Sequence, residues 1–138
     1  MRFLDSNIFI YALLKPKREL SEDEKRIKEV SKKIVERIDG GEDVVTTIVH
    51  LSEVANILED IAGTSFAAKF IRDVLLKKNV TVESTTVEDY IESTVFAEEW
   101  GISVNDALAY LIMKRRSINE IYTFDKHFEK LNVKIIRE

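Results

Sequence analysis

The side chains in this sequence with the clearest capacity for chemistry are four acidic residues, Asp5, Glu53, Asp106 and Asp125. Each stands at the end of a predicted strand or in the first turns of a predicted helix. Carboxylates gathered in one place repel one another, and a divalent cation relieves that repulsion. Hydrolysis of a phosphodiester bond requires an activated water and a stabilised leaving oxygen, which carboxylate-held metal ions supply. We therefore predict that these four acids line a metal site with nuclease chemistry.

Each acid also has a purely structural interpretation when it is taken alone. Asp5 and Asp125 can cap the segments that follow them. Asp106 stands three residues after Ser103, which is the spacing of a capping box, and Glu53 can lie on a helix surface. The joint pattern favours a site, because apolar residues flank both Glu53 and Asp106. Carboxylates in such positions lie near the edge of the core, where an unpaired charge is costly.

The ligand types available in the chain restrict the metal. There is no cysteine, which excludes disulfides and thiolate sites, and the two histidines, His50 and His127, are too few for an imidazole-rich zinc site. Oxygen ligands favour Mg²⁺ or Mn²⁺, as one or two ions. His50 is expected to be a packed or surface residue of a helix.

The elements that must position the acids follow from the hydrophobic periodicity. Ser21 and Glu24 form a capping box, and Thr86 and Asp89 form a second one. The predicted strands are Arg2–Leu4, Val44–Thr47, Val80–Ser84, Ile121–Phe124 and Val133–Ile136. The predicted helices are Asn7–Leu14, Ser21–Asp39, Val49–Ala62, Phe66–Lys78, Thr86–Trp100 and Ser103–Arg116.

Strands alternate with helices along the chain, which predicts an α/β fold with a central, mainly parallel sheet. Ligand sites in such sheets form beyond the carboxyl ends of the strands, where the four acids are expected. We find no internal repeat, low-complexity tract or linker, so residues 1–138 are predicted to form a single domain.

Net charge and hydropathy set further expectations. The net charge is −4, whereas nucleic-acid-binding proteins are usually basic. Four carboxylates around metal ions would account for all of that excess, which leaves local basic patches free to attract phosphate. The start of the chain does not have the pattern of a signal peptide, and its longest apolar run, Ile8–Leu14, is too short to span a bilayer. We therefore expect a cytoplasmic protein without a membrane partner.

Four segments of the chain resemble the PIN-domain family. In the third and fourth of these segments, an Asp-Ala pair in a predicted helix precedes a Thr-x-Asp-x-x-Phe motif after a predicted strand. These two motifs are the most specific part of the resemblance. The segments keep the family's order and spacing from the first residues to the end of the chain, and they are Phe3–Ile8, Leu51–Val54, Asn105–Leu108 and Tyr122–Phe128.

The resemblance implies a three-layer α/β/α sandwich and a Mg²⁺- or Mn²⁺-dependent endoribonuclease. It places Asp5, Glu53, Asp106 and Asp125 in the site, as catalytic and metal-binding residues. By size and lack of appended domains, the chain is similar to the VapC toxins of type II toxin–antitoxin pairs. That similarity implies an RNA substrate, a homodimer and inhibition by a small antitoxin protein.

Several polar and basic residues are secondary candidates. Asn7 and Thr123 match the small polar positions that support the metal cluster in the family. Lys126 and His127 stand beside Asp125 and are candidates for substrate contact, with a solvated loop as the alternative. Arg115 is a candidate for an RNA phosphate contact, although a basic residue at a helix C-terminus also interacts favourably with the helix dipole.

Two alternatives belong to other functional classes. One is a non-catalytic PIN-fold module that binds RNA or acts as a scaffold in RNA processing. The other is a different small α/β protein with an acidic site. A receiver domain requires paired acids after its first strand, and a haloacid-dehalogenase-type phosphatase requires Asp-x-Asp. Ser6 and Asn7 follow Asp5 instead, and no glycine-rich phosphate loop is present.

Overall fold

A sheet of five parallel strands lies at the centre of the computed structural model, which describes residues 1–138. Its spatial order is β3-β2-β1-β4-β5, and every neighbouring pair is parallel. The sheet is therefore covered by the connecting helices, as parallel sheets require. The strands are β1 (Arg2–Leu4), β2 (Val44–Thr47), β3 (Val80–Glu83), β4 (Glu120–Tyr122) and β5 (Lys134–Ile136).

Six α-helices and a short 3₁₀ helix connect the strands. The two predicted capping boxes are both present, at the starts of the second and fifth helices. Gly101 ends the fifth helix with φ of 65°, a backbone conformation that glycine adopts at low cost. The helices are α1 (Ser6–Leu13), α2 (Glu22–Asp39), α3 (Ile48–Ala62), α4 (Thr64–Leu76), α5 (Val87–Trp100) and α6 (Val104–Arg115), and the 3₁₀ helix is Lys126–Lys130.

Two hydrophobic cores lie on opposite faces of the sheet, because successive strand residues point to opposite sides. Phe3 and Val45 belong to the core under α5 and α6. Leu4 and Val44 belong to the core under α1 to α4. The result is three layers with helices on both faces, which confirms the predicted fold class. None of the helices combines the length and the apolar character needed to cross a membrane.

Element boundaries match the predictions to within two residues, and β2 matches at both ends. The difference that matters for the site is at β4, which ends at Tyr122 and not at Phe124. Thr123 follows the strand and directs its hydroxyl across the sheet end to Asp5. The chain therefore leaves the sheet two residues earlier than hydrophobicity predicts, and the segment after β4 contributes side chains to the site.

Candidate active site

The four predicted acids belong to elements that begin at the carboxyl edge of the sheet or follow its strands. Asp5 follows β1, and Asp125 follows β4, which is paired directly with β1. Glu53 lies in the second turn of α3, and Asp106 lies in the first turn of α6. Parallel strands bring their carboxyl ends to one edge, so residues more than 100 positions apart in the chain meet there.

Asp5 is 5% exposed and both of its carboxylate oxygens accept hydrogen bonds. Oδ1 accepts the backbone N–H of Ser6 at 2.8 Å, so Asp5 caps α1 as its structural interpretation predicted. Oδ2 accepts the hydroxyl of Thr123 at 2.7 Å. Burial raises the pKa of Asp5, and the nearby charge of Asp125 raises it further, while the hydrogen bonds oppose this shift. Asp5 therefore both caps α1 and belongs to the cluster of acids at the sheet edge.

Thr123 organises the polar side chains around Asp5. Its hydroxyl donates to Asp5, and the same oxygen accepts the backbone N–H of Asp125 at 3.0 Å and the side-chain amide of Asn7 at 3.3 Å. One proton and two lone pairs are thus all used. Asn7 Oδ1 is left buried without a hydrogen-bond partner. The structure therefore places Asn7 and Thr123 beside the acids.

Ser6 is a site residue that the sequence analysis did not single out. Its Oγ lies 3.2 Å from Glu53 Oε1 and 3.4 Å from Asp5 Oδ1. A hydroxyl has one proton, so Ser6 can donate to only one of the two carboxylates at a time. Ser6 links Glu53, on α3, to the end of β1. Its position between Asp5 and Asn7 was the available signal, but its contact with Glu53 spans 47 residues.

The pKa of Asp106 is strongly raised by its surroundings. Asp106 is 8% exposed, and its backbone N–H donates to Ser103 Oγ at 3.0 Å. Burial, followed by repulsion from Asp125 and Asp5, raises the pKa of Asp106 to about 8. No lysine or arginine forms an ion pair with Asp5, Glu53, Asp106 or Asp125. The site therefore concentrates carboxylates that no lysine or arginine of the protein neutralises.

His127 lies beside two of the aspartates. Its Nδ1 is 3.0 Å from Asp125 Oδ1 and 3.8 Å from Asp106 Oδ2, and the three ligand atoms lie within 4.8 Å of one another. Asp125 Oδ1 also accepts the backbone N–H of His127 at 2.9 Å, which caps the 3₁₀ helix. The candidate substrate-contact residue is thus placed at the site and is more than half exposed.

The donor set fits a divalent cation. Hard carboxylate oxygens predominate, and Asn7 Oδ1 supplies a further buried oxygen without a partner. Protonation of Asp106 is one way to relieve the repulsion, and a bound cation is the other. The closest grouping consists of Asp106, Asp125 and His127. Both oxygens of Asp5 are held by hydrogen bonds, and Glu53 is held through Ser6.

The structure separates the two basic candidates. Lys126 is exposed at the start of the 3₁₀ helix, next to Asp125. Arg115 lies nine residues after Asp106 on α6, which corresponds to about 13 Å along a helix axis. Its guanidinium pairs with Asp89 at 2.6 Å and with Glu92 at 3.3 Å. The structure therefore does not bring Arg115 to the acids.

His50 is a second residue near the site to which the sequence analysis assigned no chemistry. It lies in the first turn of α3 and is 1% exposed, so of the two placements expected for it, packed or at the surface, it has the packed one. Its Nδ1 is 2.6 Å from Thr47 Oγ1. In the sequence, only the apolar residues around His50 indicated that it would be buried. They did not indicate which helix start its ring would approach.

Comparison with known proteins supports the family resemblance. A family model described as "PIN domain" matches residues 2–134. No characterised protein matches by sequence alone.

Solved structures show the same architecture. VapC20 from Mycobacterium tuberculosis, described as a sarcin-ricin loop cleaving toxin, has a TM-score of 0.77 and 20% identity over 100% of both chains. A toxin–antitoxin complex from Klebsiella pneumoniae has a TM-score of 0.66 and 12% identity, over 99% of this chain and 96% of that one. VapBC2 from Rickettsia felis, bound to a promoter DNA fragment, has a TM-score of 0.62 and 16% identity, over 98% and 96%. At these identities, the likeness establishes the fold.

Proposed function

Because the chain belongs to the PIN domain family, we propose that it is a metal-dependent endoribonuclease whose site is formed by Asp5, Glu53, Asp106 and Asp125. The observation that carries this proposal is the cluster of four carboxylates at the sheet edge. These side chains are partly buried, and none of them has a lysine or arginine partner. A buried charge without a partner is destabilising, so a protein that only needed to fold would have no reason to keep several together. The family model spans residues 2–134, which supports treating the chain as one PIN domain.

The metal is proposed to be Mg²⁺ or Mn²⁺, as one or two ions. The four acids are its proposed ligands, with Asn7 and Thr123 in support. When bound, the metal would lower the pKa of a water molecule and stabilise the charge that develops on the phosphate and the leaving oxygen. Oxygen ligands suit these ions and leave coordination positions open.

The side chains of the protein would orient this reaction. Thr123 and the backbone of Ser6 hold the two oxygens of Asp5, so that its carboxylate cannot rotate. Because its pKa is raised, the carboxyl group of Asp106 could hold or release a proton near neutral pH. Lys126 and His127 are exposed beside Asp125 and would contact the RNA phosphates.

The proposed reaction adds water across one P–O3′ bond of RNA. The water oxygen bonds to phosphorus, the P–O3′ bond breaks, and the departing 3′ oxygen takes up a proton. The products carry 5′-phosphate and 3′-hydroxyl ends. No covalent intermediate with the protein is required, because water itself attacks the phosphorus.

The physiological role that we propose is the toxin of a type II toxin–antitoxin pair. This proposal is supported by similarity over nearly the whole chain to VapC20 and to the Klebsiella pneumoniae and Rickettsia felis toxin–antitoxin proteins. We expect a homodimer, an RNA target in the cytoplasm and a small antitoxin protein as a separate chain. Chromatography with light scattering tests the dimer, and co-expression with the product of the neighbouring gene tests the antitoxin.

The decisive test is RNA cleavage by the purified protein. Structured and unstructured RNAs are incubated with Mg²⁺, with Mn²⁺ and with EDTA, beside Asp5→Asn and Asp106→Asn proteins prepared identically. We expect cleavage that requires metal and is lost in both variants. Equal cleavage by the wild type and both variants would contradict the site. Metal binding by calorimetry without cleavage of any RNA, in protein freed of partners by refolding, would instead favour the non-catalytic PIN-fold module.

A further inference from the structure

We propose that His50 is a positioning residue, whose ring braces the start of α3 against the start of α6 and so sets the separation of Glu53 and Asp106. The inference rests on the proposed function, because these two acids are assigned to the metal site. It concerns a residue that does not belong to the acidic group itself.

The ring of His50 is enclosed where three site-bearing elements meet. Its exposure is 1%. Phe3, on β1 and two residues before Asp5, packs edge to face against it with ring centroids 5.2 Å apart. Glu53 follows one turn later on the same side of α3, since residues three apart are neighbours on a helix. Any shift of the ring would therefore change the position of the helix segment that carries Glu53.

Thr47 holds both the backbone and the ring of His50. Thr47 Oγ1 accepts the backbone N–H of His50 at 3.1 Å, which caps α3. The same oxygen lies 2.6 Å from His50 Nδ1. The backbone N–H occupies one lone pair of this oxygen and leaves the hydroxyl proton free, so in the proposed arrangement Thr47 donates to Nδ1 and Nε2 carries the hydrogen. The cap of α3 and the ring are thus locked together.

The protonated nitrogen is directed away from Thr47. Nε2 is buried and makes no hydrogen bond of normal geometry, but the backbone of Asn105 is close enough to the ring to affect its pKa. Asn105 directly precedes Asp106 in the first turn of α6. Burial lowers the pKa of His50 to about 4, although Glu53 and the Asn105 backbone oppose this, so the imidazole is neutral at pH 7. One end of the ring therefore holds the start of α3, and the other end, which makes no hydrogen bond, lies near the backbone of Asn105.

An apolar residue of similar size would fill this space but would not replace the hydrogen bond to Thr47. The Thr47 hydroxyl would lose its acceptor, and the polar backbone at Asn105 would face hydrocarbon, which is unfavourable when buried. The fold has ample apolar packing here, since Phe3 and Leu51 are also buried. We therefore expect the loss of His50 to affect the placement of the two acids more than the folding of the chain.

The test compares Mn²⁺ affinity, measured by calorimetry, in the wild type and in His50→Leu, His50→Asn and His50→Gln. Asn places an acceptor near the position of Nδ1, and Gln places a donor near that of Nε2. We expect His50→Leu to bind Mn²⁺ about 10–100-fold more weakly, as is typical when an outer-shell partner is removed. The Asn and Gln variants should each recover part of the loss. Leu58→Val, buried two turns further along α3, is the control for destabilisation and should keep wild-type affinity at a lower melting temperature.

Equal Mn²⁺ affinity in the wild type and His50→Leu would overturn the inference, and His50 would then be a core residue only. Equal weakening in Leu58→Val would also overturn it, because the effect would follow stability. If the wild type binds no Mn²⁺, the proposed metal site fails, and ¹⁵N NMR provides a test that does not depend on it. Nε2 should carry the proton, and the amides of Asn105 and Asp106 should shift in His50→Leu but not in Leu58→Val. The opposite tautomer, or unshifted amides, would contradict the brace.

Discussion

The starts of α5 and α6 have the same capping pattern, but the pKa of the aspartate is lowered in α5 and raised in α6. In each, a hydroxyl residue caps the helix and an aspartate stands three residues later, Thr86 with Asp89 and Ser103 with Asp106. Both hydroxyls accept the backbone N–H of their aspartate at 3.0 Å. The carboxylate of Asp89 also returns to the backbone N–H of Thr86 at 3.1 Å and completes a capping box. Asp106 makes no such return bond.

The surroundings of the two aspartates explain the difference. Asp89 accepts the backbone N–H of Thr86 and pairs with Arg115 at 2.6 Å, and both contacts lower its pKa. Asp106 is buried beside Asp125 and Asp5 without a lysine or arginine partner, and its pKa rises to about 8. A paired acid stabilises the fold. An acid held among other acids makes the metal-free fold less stable, and a bound cation would relieve that repulsion.

The largest expected difference between the two helix starts is in activity. Asp106→Asn should reduce RNA cleavage by about 100–1000-fold or more, the loss found when one group that stabilises transition-state charge is removed. Asp89→Asn should stay within about threefold of the wild type, since removal of a group that acts only on the fold leaves the transition state unchanged. Initial rates on one RNA at saturating Mg²⁺ give both values. Comparable losses in the two variants would remove the distinction between the sites.

Metal-dependent stabilisation is the next largest expected effect. Mn²⁺ at about 100 times its dissociation constant should stabilise the wild type by about 2.7 kcal/mol, because the ion binds only the folded state. The gain should be retained in Asp89→Asn and strongly reduced in Asp106→Asn. Thermal unfolding with Mn²⁺ and with EDTA measures it. A gain that survives in Asp106→Asn would place the ion elsewhere.

Removal of the capping interaction should affect stability and not activity. Asp89→Ala removes the return bond to Thr86 and the pairing with Arg115, which we expect to cost about 1–2 kcal/mol of unfolding free energy. Urea unfolding of the metal-free protein measures this loss. Asp106→Asn removes repulsion and should leave the metal-free protein as stable as the wild type or more stable. A loss in Asp106→Asn as large as that in Asp89→Ala would show that Asp106 stabilises the metal-free fold.

The smallest expected effect is the pH dependence of the metal-free protein, which has opposite signs at the two aspartates. Asp106 has a raised pKa in the folded state, of about 8 against an ordinary 3.8, so its stabilising protonation is lost as the pH rises between these values. Asp89 has a lowered pKa, so its contribution is present above 3.8 and is lost as the pH falls below it.

Melting temperatures in EDTA from pH 3 to pH 8 separate the two contributions. Asp106→Asn should flatten the decline above pH 4, and Asp89→Asn should flatten the decline at the acid end. We expect shifts of about a few degrees, since water reaches both carboxylates in part and screens their charges. A steeper alkaline decline in Asp106→Asn would contradict the direction of the shift at Asp106.

Much of the fold was predictable because it depends on local patterns. The capping box of Ser21 and Glu24, the apolar stripe behind it and Gly40 at its end predicted α2 from chain neighbours alone. The β-branched run of Val44–Thr47 predicted β2 for the same reason. The acids were predictable as a group from the rule that parallel strands share a carboxyl edge.

Three features of the site were not predictable from local patterns. Ser6 contacts Glu53 from 47 residues away, and Arg115 pairs with an aspartate 26 residues earlier. The ring of His50 lies near the backbone of Asn105, which belongs to a different helix. Each contact depends on how separate elements pack, and the periodicity of one element does not contain that information.

The sequence by itself determined the types of ligand and the local form of both helix starts. Absence of cysteine restricted the metal to oxygen and imidazole ligands, and hydroxyl residues three positions before Asp89 and Asp106 determined the caps. Only the tertiary structure decided which of these aspartates is neutralised. Electrostatic energy depends on distance and burial, and the packing of α5 against α6 brings Arg115 to Asp89, while the sheet brings Asp5 and Asp125 to Asp106.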